Sequence, residues 1–175
     1  MTEERQTPET PSPAPEMPRP YPITRIGNGA RFVVEARLDE CRKLALRMNI
    51  EALHSLTCRF DLRRGPNDTI DAAGLLRARV RQVCVVSLEP FDSDIVEEFS
   101  VRFVPEGRES DDLDLESDDE IGYAGGILDL GEAASEQLAL ALDPFPRKPG
   151  AELPSSLASL DASPFAALAK LRTPQ

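Results

Sequence analysis

Tryptophan is absent, tyrosine occurs twice and histidine once, at His54. With seven phenylalanines as the only other aromatics, aliphatic side chains must fill the core, and little remains to build platforms for base stacking. A Cys/His or Ser/His/Asp arrangement would need His54 beside a nucleophile. Its near neighbour Cys58 lies four residues on, about 13 Å along an extended strand, too far for direct proton transfer. The three cysteines, Cys41, Cys58 and Cys84, are far apart and form no C-x-x-C pair. An odd, scattered set argues for free thiols over a disulfide scaffold, and with one imidazole it is no ordered zinc-ligand set. No run approaches the length of a membrane span, about 18 apolar residues, and the first twenty residues contain no apolar stretch that reads as a signal sequence. The expectation is a cytoplasmic chain without cofactor, metal or small-molecule substrate.

Positive charge is also in short supply. Twenty Lys and Arg face 31 Asp and Glu, a net charge of −11. That disfavours a broad grip on naked nucleic acid or an anionic membrane, while leaving room for association through basic protein partners. The imbalance is local: residues 1–88 hold 14 basic and 11 acidic side chains, and residues 89–120 hold 2 and 14. Carboxylates are plentiful, but most lie where nothing apolar would raise their pKa, so no acid/base pair stands out and no active site is expected.

What is present reads as one α+β domain over residues 21–146, between a disordered Pro/Glu-rich tail at 1–20 and a linker with a short C-terminal helix at 147–175. The expected fold is a small antiparallel sheet with a long hairpin, two or three short packed helices and an acidic loop. Tyr21-Pro22-Ile23 reads as an edge segment. Asn28-Gly29 is a turn signal, so that segment and residues 30–36 are candidates for a first hairpin. From 38 to 49 the period changes: Leu38, Cys41, Leu44, Ala45 and Met48 share one helical face, with Arg42, Lys43 and Arg47 outside it. Alternation returns at 53–64, with Leu56, Cys58, Phe60 and Leu62 inward. It continues at 69–88, where Leu76, Ala78, Val80, Gln82, Cys84 and Val86 share one face. Gly74 is expected to mark a bulge or bend in this long stretch. Glu89-Pro90 turns the chain and 91–105 returns, which predicts a hairpin of two long arms.

Arg77, Arg79 and Arg81 form a row on the outward face of that hairpin. They could pair with Asp92, Asp94 and Glu98 on the returning strand, or contact phosphates, and the sequence leaves both open. Residues 106–120 contain nine acids and one arginine, a loop expected to repel itself open. They lack the ordered spacing of a calcium loop. Beyond them, Asp129 is a candidate N-cap and Glu132 a candidate partner in a capping box. Leu130, Ala133, Ala134, Leu138, Ala141 and Leu142 give that helix its apolar stripe, and Asp143-Pro144 stops it. Glu136 and Gln137 fall on or beside its polar edge. With Asp129, Glu132 and the arginine row they are the candidate partner-contact residues. Ser163-Pro164 followed by 165–171 reads as one or two terminal helical turns.

Several of these features occur together in a known family. Cys84 leads into Leu88-Glu89-Pro90-Phe91, and a strand ends at Phe103-Val104-Pro105. A block follows with Ile127, Leu128, Asp129, Leu130, Glu132, Glu136, Gln137, Leu138, Leu140, Ala141, Leu142, Pro144 and Pro146. A tail with Pro164, Phe165, Leu168 and Leu171 completes the pattern. This combination resembles the YceD family, also called the large ribosomal RNA subunit accumulation protein family, closely over residues 80–171 and loosely over 21–79. Many relatives place a second cysteine three after the first, and a further pair after the final P-x-P. Here Ser87 and Arg147-Lys148-Pro149 stand at those places, so any metal held by the relatives' cysteines has no such ligands in this chain.

The resemblance implies a bacterial cytosolic role in accumulation or processing of 23S rRNA, with a ribosomal protein or assembly factor as partner, indirect contact to rRNA, and no catalytic residues. The alternative expectation is an acidic adaptor that regulates a partner unrelated to ribosomes.

Overall fold

The computed structural model describes residues 14–108 and 119–152. In chain order its elements are β1 (Pro20–Pro22), β2 (Ala30–Glu35), α1 (Leu38–Arg47), β3 (Ala52–Arg64), β4 (Ile70–Val83), β5 (Pro90–Pro105), β6 (Asp119–Tyr123), β7 (Ile127–Asp129) and α2 (Leu130–Ala141). Single 3-10 turns occupy Ile23–Arg25 and Pro66–Asp68. Five strands form one sheet in the order β2-β3-β4-β5-β6, and β1 pairs with β7 in a separate ribbon. The first four strands of the large sheet run antiparallel, whereas β6 lies parallel to β5. The fold is therefore α+β, with a mixed sheet in place of the all-antiparallel one expected.

Alternation does the work at the centre. On β3, Leu53, Leu56, Cys58, Phe60 and Leu62 are buried, and on β4 so are Ile70, Ala72, Leu76, Ala78 and Val80. Side chains on a strand point to opposite faces in turn, so these residues line one face of the sheet. There they meet Cys41, Leu44 and Ala45 of α1 and Leu130, Ala133, Ala134 and Leu138 of α2. Among the described residues no element packs on the other, open face. β4 and β5 pair continuously from Val83 opposite Pro90 to Ile70 opposite Phe103.

Gly74 sits in unbroken register between Phe60 and Phe99 and marks no bulge. It is small because the Phe99 ring lies over it, where a Cβ would collide with the ring; the ring also meets Phe60 edge-on, with centroids 5.7 Å apart. The irregularity lies instead between Leu53 and Ser55 on β3, at His54.

The expected first hairpin does not form. β2 pairs with β3, and Tyr21 lies opposite Leu128 in the β1–β7 ribbon. The 3-10 turn at Ile23–Arg25 redirects the chain, and the Ile23 N–H donates to the Gly126 carbonyl.

The tail expected at 1–20 is also shorter than read, because Met17 is fully buried and Pro20 begins β1. Gly131 is buried against the Met17 carbonyl, with no room for a Cβ. On α1 Cys41, Leu44 and Ala45 are buried and Met48 half-buried as expected, but Leu38 at the first turn is exposed and Glu40 is buried instead. Asp119 and Glu120, expected within the acidic loop, belong to β6. The rest of that loop at 109–118, residues 1–13 and the helix at 163–171 lie outside the described residues.

Candidate functional site

The arginine row stands on the open face of the sheet, where β4 alternation puts it. Arg81 lies opposite Asp92, Arg79 opposite Asp94 and Arg77 opposite Val96. Asp92 does most of the pairing: Arg81 donates to its two oxygens at 2.7 and 3.2 Å, Arg79 lies at 3.9 Å and His54 at 3.2 Å. The Arg81 hydrogen bond is the main reason its carboxyl stays below the usual range, with His54 helping. Asp94 and Glu98, expected to share this task, form no ion pair among the described residues, and neither does Arg77. The row is thus neutralised at one end and free at the other. It carries no exposed aromatic side chain on which a base could stack.

The second group of candidates lies across the sheet, on the helix side. Asp129 caps α2, its Oδ1 accepting from the backbone N–H of Gly131 at 3.0 Å and Glu132 at 3.1 Å. The same oxygen accepts from the Arg19 N–H at 2.9 Å, which ties the N-terminal segment to the helix start. Glu132 completes no capping box. Its carboxylate turns to Arg47 of α1, which donates at 2.6 and 3.1 Å and also reaches Glu16 at 2.8 Å. Glu132 therefore bolts the two helices together. Gln137 is 8% exposed and packs inward, so the paired polar margin expected at Glu136-Gln137 does not exist. Glu136 is half-buried, and burial, with Glu132 nearby, raises its carboxyl above the usual range. The two sets of candidate residues do not converge on one site.

Two features escaped sequence reading. The first is the ion pair between Arg19 and Glu40, whose carboxylate is 1% exposed. Arg19 donates at 2.9 and 2.7 Å, and the Arg37 N–H donates at 2.7 Å. Chiefly through Arg19, the Glu40 carboxyl is held down at about 2. The E at the fourth position after Ala36 was a usable helix-start signal, but its partner lay in a segment read as tail.

The second is the turn at Cys84. The thiol is buried at the mouth of the β4–β5 hairpin and accepts from the backbone N–H groups of Val86 and Ser87, both at 3.4 Å. Hydrogen bonds from the Ser87 side chain and backbone, with help from the Lys148 and Val86 N–H groups, outweigh burial and hold it at about 6. Burial has the opposite result at Cys58, pushed up to about 12, and raises Cys41. All three thiols are free. The segment after Pro146 returns to this turn: the Val85 N–H donates to the Pro146 carbonyl at 2.9 Å, and Lys148 pairs with Glu89 at 2.7 Å. The positions singled out by the family pattern thus come close in space, but as one thiol, a serine hydroxyl and a lysine. Such donors do not fit a divalent metal, and no cluster of three ligating side chains occurs among the described residues.

The depressions are open; one of about 440 Å³ is bordered by Met48, Ile50, Gln82, Leu142 and Pro144 at the end of α2, and one of about 360 Å³ by Arg59, Asp61, Leu75 and Glu98 on the other face of the sheet. Among the described residues no helix is long and apolar enough to cross a membrane.

No curated protein and no solved structure matches the chain. A family model, described as "Large ribosomal RNA subunit accumulation protein YceD", matches residues 72–172. That span runs from β4 through the hairpin turn and the capped helix α2 into the C-terminal segment, and covers more than half of the sequence: this chain belongs to the YceD family.

Proposed function

We propose that the protein is a non-enzymatic factor supporting accumulation and processing of 23S rRNA during large-subunit biogenesis in the bacterial cytoplasm, acting mainly through a ribosomal protein or assembly factor. The family match over residues 72–172 carries this reading. The net charge of −11 favours protein partners over a broad hold on RNA. The arginine row adds little against that, since Arg81 and Arg79 are engaged by Asp92. Depressions as open as these suit a binding protein better than an enzyme. Deletion of the gene is expected to lower 23S rRNA relative to 16S rRNA, with restoration by the intact gene. Normal 23S levels in a clean deletion would overturn the proposal.

A further inference from the structure

Along β5 one margin of the sheet is left open. β4 covers one side of β5 from Pro90 to Phe103, but β6 covers the other side only from Val101 to Pro105. Among the described residues no strand pairs with the outer edge of Pro90–Phe99. The Cys84 N–H donates to the Glu89 carbonyl at the mouth of the hairpin, and hydrogen-bonded and non-bonded pairs alternate from there. Odd-numbered residues of β5 thus bond to β4, while Asp92, Asp94, Val96 and Glu98 aim backbone groups outward. Such a row of donors and acceptors is a template for one more strand.

The side chains along this margin specify what can join it. On the open face stand exposed Asp94, Val96 and Glu98, and on the helix side half-buried Phe91, Ile95 and Phe99 beside exposed Glu97. Asp94, Glu97 and Glu98 have no ion-pair partner among the described residues. A second copy of the same edge would bring carboxylates against carboxylates, which destabilises paired strands. A strand in which basic and apolar residues alternate meets all three demands. Its backbone completes the ladder, its cations stand beside Asp94 and Glu98, and its apolar side chains cover Phe91, Ile95 and Phe99.

We propose that the free edge of β5 from Pro90 to Phe99 is a docking site for an extended segment of a basic protein, with lysine or arginine alternating with apolar residues, which adds to the sheet as a further strand. This goes beyond the role in rRNA accumulation and stands independently of it, because purified protein and peptide suffice for the test. The probe is a labelled peptide of alternating lysine and valine, as long as the edge. The control is a peptide of the same composition with its lysines and valines segregated. Binding is followed by fluorescence anisotropy, and its place by amide shifts.

The alternating peptide is expected to bind with shifts centred on residues 92–99, and the segregated one at least about tenfold more weakly, the scale of one charge-assisted hydrogen bond. Val96→Pro removes one outward N–H at a position where an edge strand tolerates proline, and is expected to weaken binding by a similar factor. Asp94→Asn with Glu98→Gln leaves the backbone intact and tests the charge separately, with the same expected direction. Circular dichroism confirms that each variant is folded. Equal binding of the two peptides, undiminished binding by both folded variants, shifts confined to another surface, or no binding of the alternating peptide at low salt each overturns the proposal.

Discussion

Replacing Glu40 by glutamine removes the negative charge from the best-buried ion pair among the described residues and leaves the shape of the side chain. The carboxylate is 1% exposed, accepts two hydrogen bonds from Arg19 and one from the Arg37 N–H, and has the Arg37 guanidinium 2.9 Å away. Glutamine can satisfy some of these through its one oxygen, while its NH2 group points a donor at donors. The fall of the Glu40 pKa from 4.5 to about 2, at about 1.36 kcal/mol per tenfold, corresponds to about 3 kcal/mol. That agrees with the 3–5 kcal/mol typical, in order of magnitude (~4), of breaking a buried pair by removing one partner.

The sign of the pH dependence follows from the direction of the shift. The folded protein holds the proton less tightly than the unfolded chain, so the stabilisation is complete above the unfolded value of 4.5 and disappears as pH falls through about 2. By pH 3 about 2 kcal/mol of it is gone. Because tryptophan is absent, urea unfolding is best followed by far-ultraviolet circular dichroism, for wild type and Glu40→Gln at pH 7 and pH 3. The expected result is a gap of about 3 kcal/mol at pH 7 that narrows to about 1 kcal/mol at pH 3. A gap below about 0.5 kcal/mol at pH 7, or one that does not change with pH, refutes the argument.

Gly74→Ala is expected to cost about 1–3 kcal/mol by driving a methyl group into the Phe99 ring. Adding Phe99→Leu should restore part of that loss, and simple additivity in the double variant would show that the two do not compete for space. Cys84 is expected to ionise near 6 by its ultraviolet thiolate absorbance, while Cys58 stays protonated to about 12. Ser87→Ala should move Cys84 upward; a transition unchanged by that substitution contradicts the cradle. Since the folded-state value is depressed, wild-type stability should rise relative to Cys84→Ala as pH goes from about 6 to 9.

The central strands were legible in the sequence because their evidence is local. Two-residue alternation places Leu56, Cys58, Phe60 and Leu62, and then Leu76, Ala78 and Val80, in the core without reference to anything distant. The capped start of α2 at Asp129 was legible for the same reason. What failed depended on partners far along the chain. Tyr21 pairs with Leu128, and no pattern near Tyr21 announces that. Glu40 can be buried only because Arg19 arrives from a proline-rich segment that looks solvated. Gly74 looked like a bulge because the ring that fills its place belongs to the next strand. Glu132 satisfied a local capping rule, but a guanidinium on α1 offered its carboxylate a charged partner. Of the candidate contact residues, Asp129, Glu132 and Arg81 prove to be held in internal contacts, and Gln137 is buried.

The most direct test of the account is affinity purification of the tagged protein from growing cells at low salt, with and without nuclease, followed by identification of bound protein and sequencing of bound RNA. The account predicts large-subunit ribosomal proteins or assembly factors that remain after nuclease treatment, with 23S precursors present only before it. A stoichiometric complex with a non-ribosomal partner, free of 23S sequences under both conditions, would contradict it.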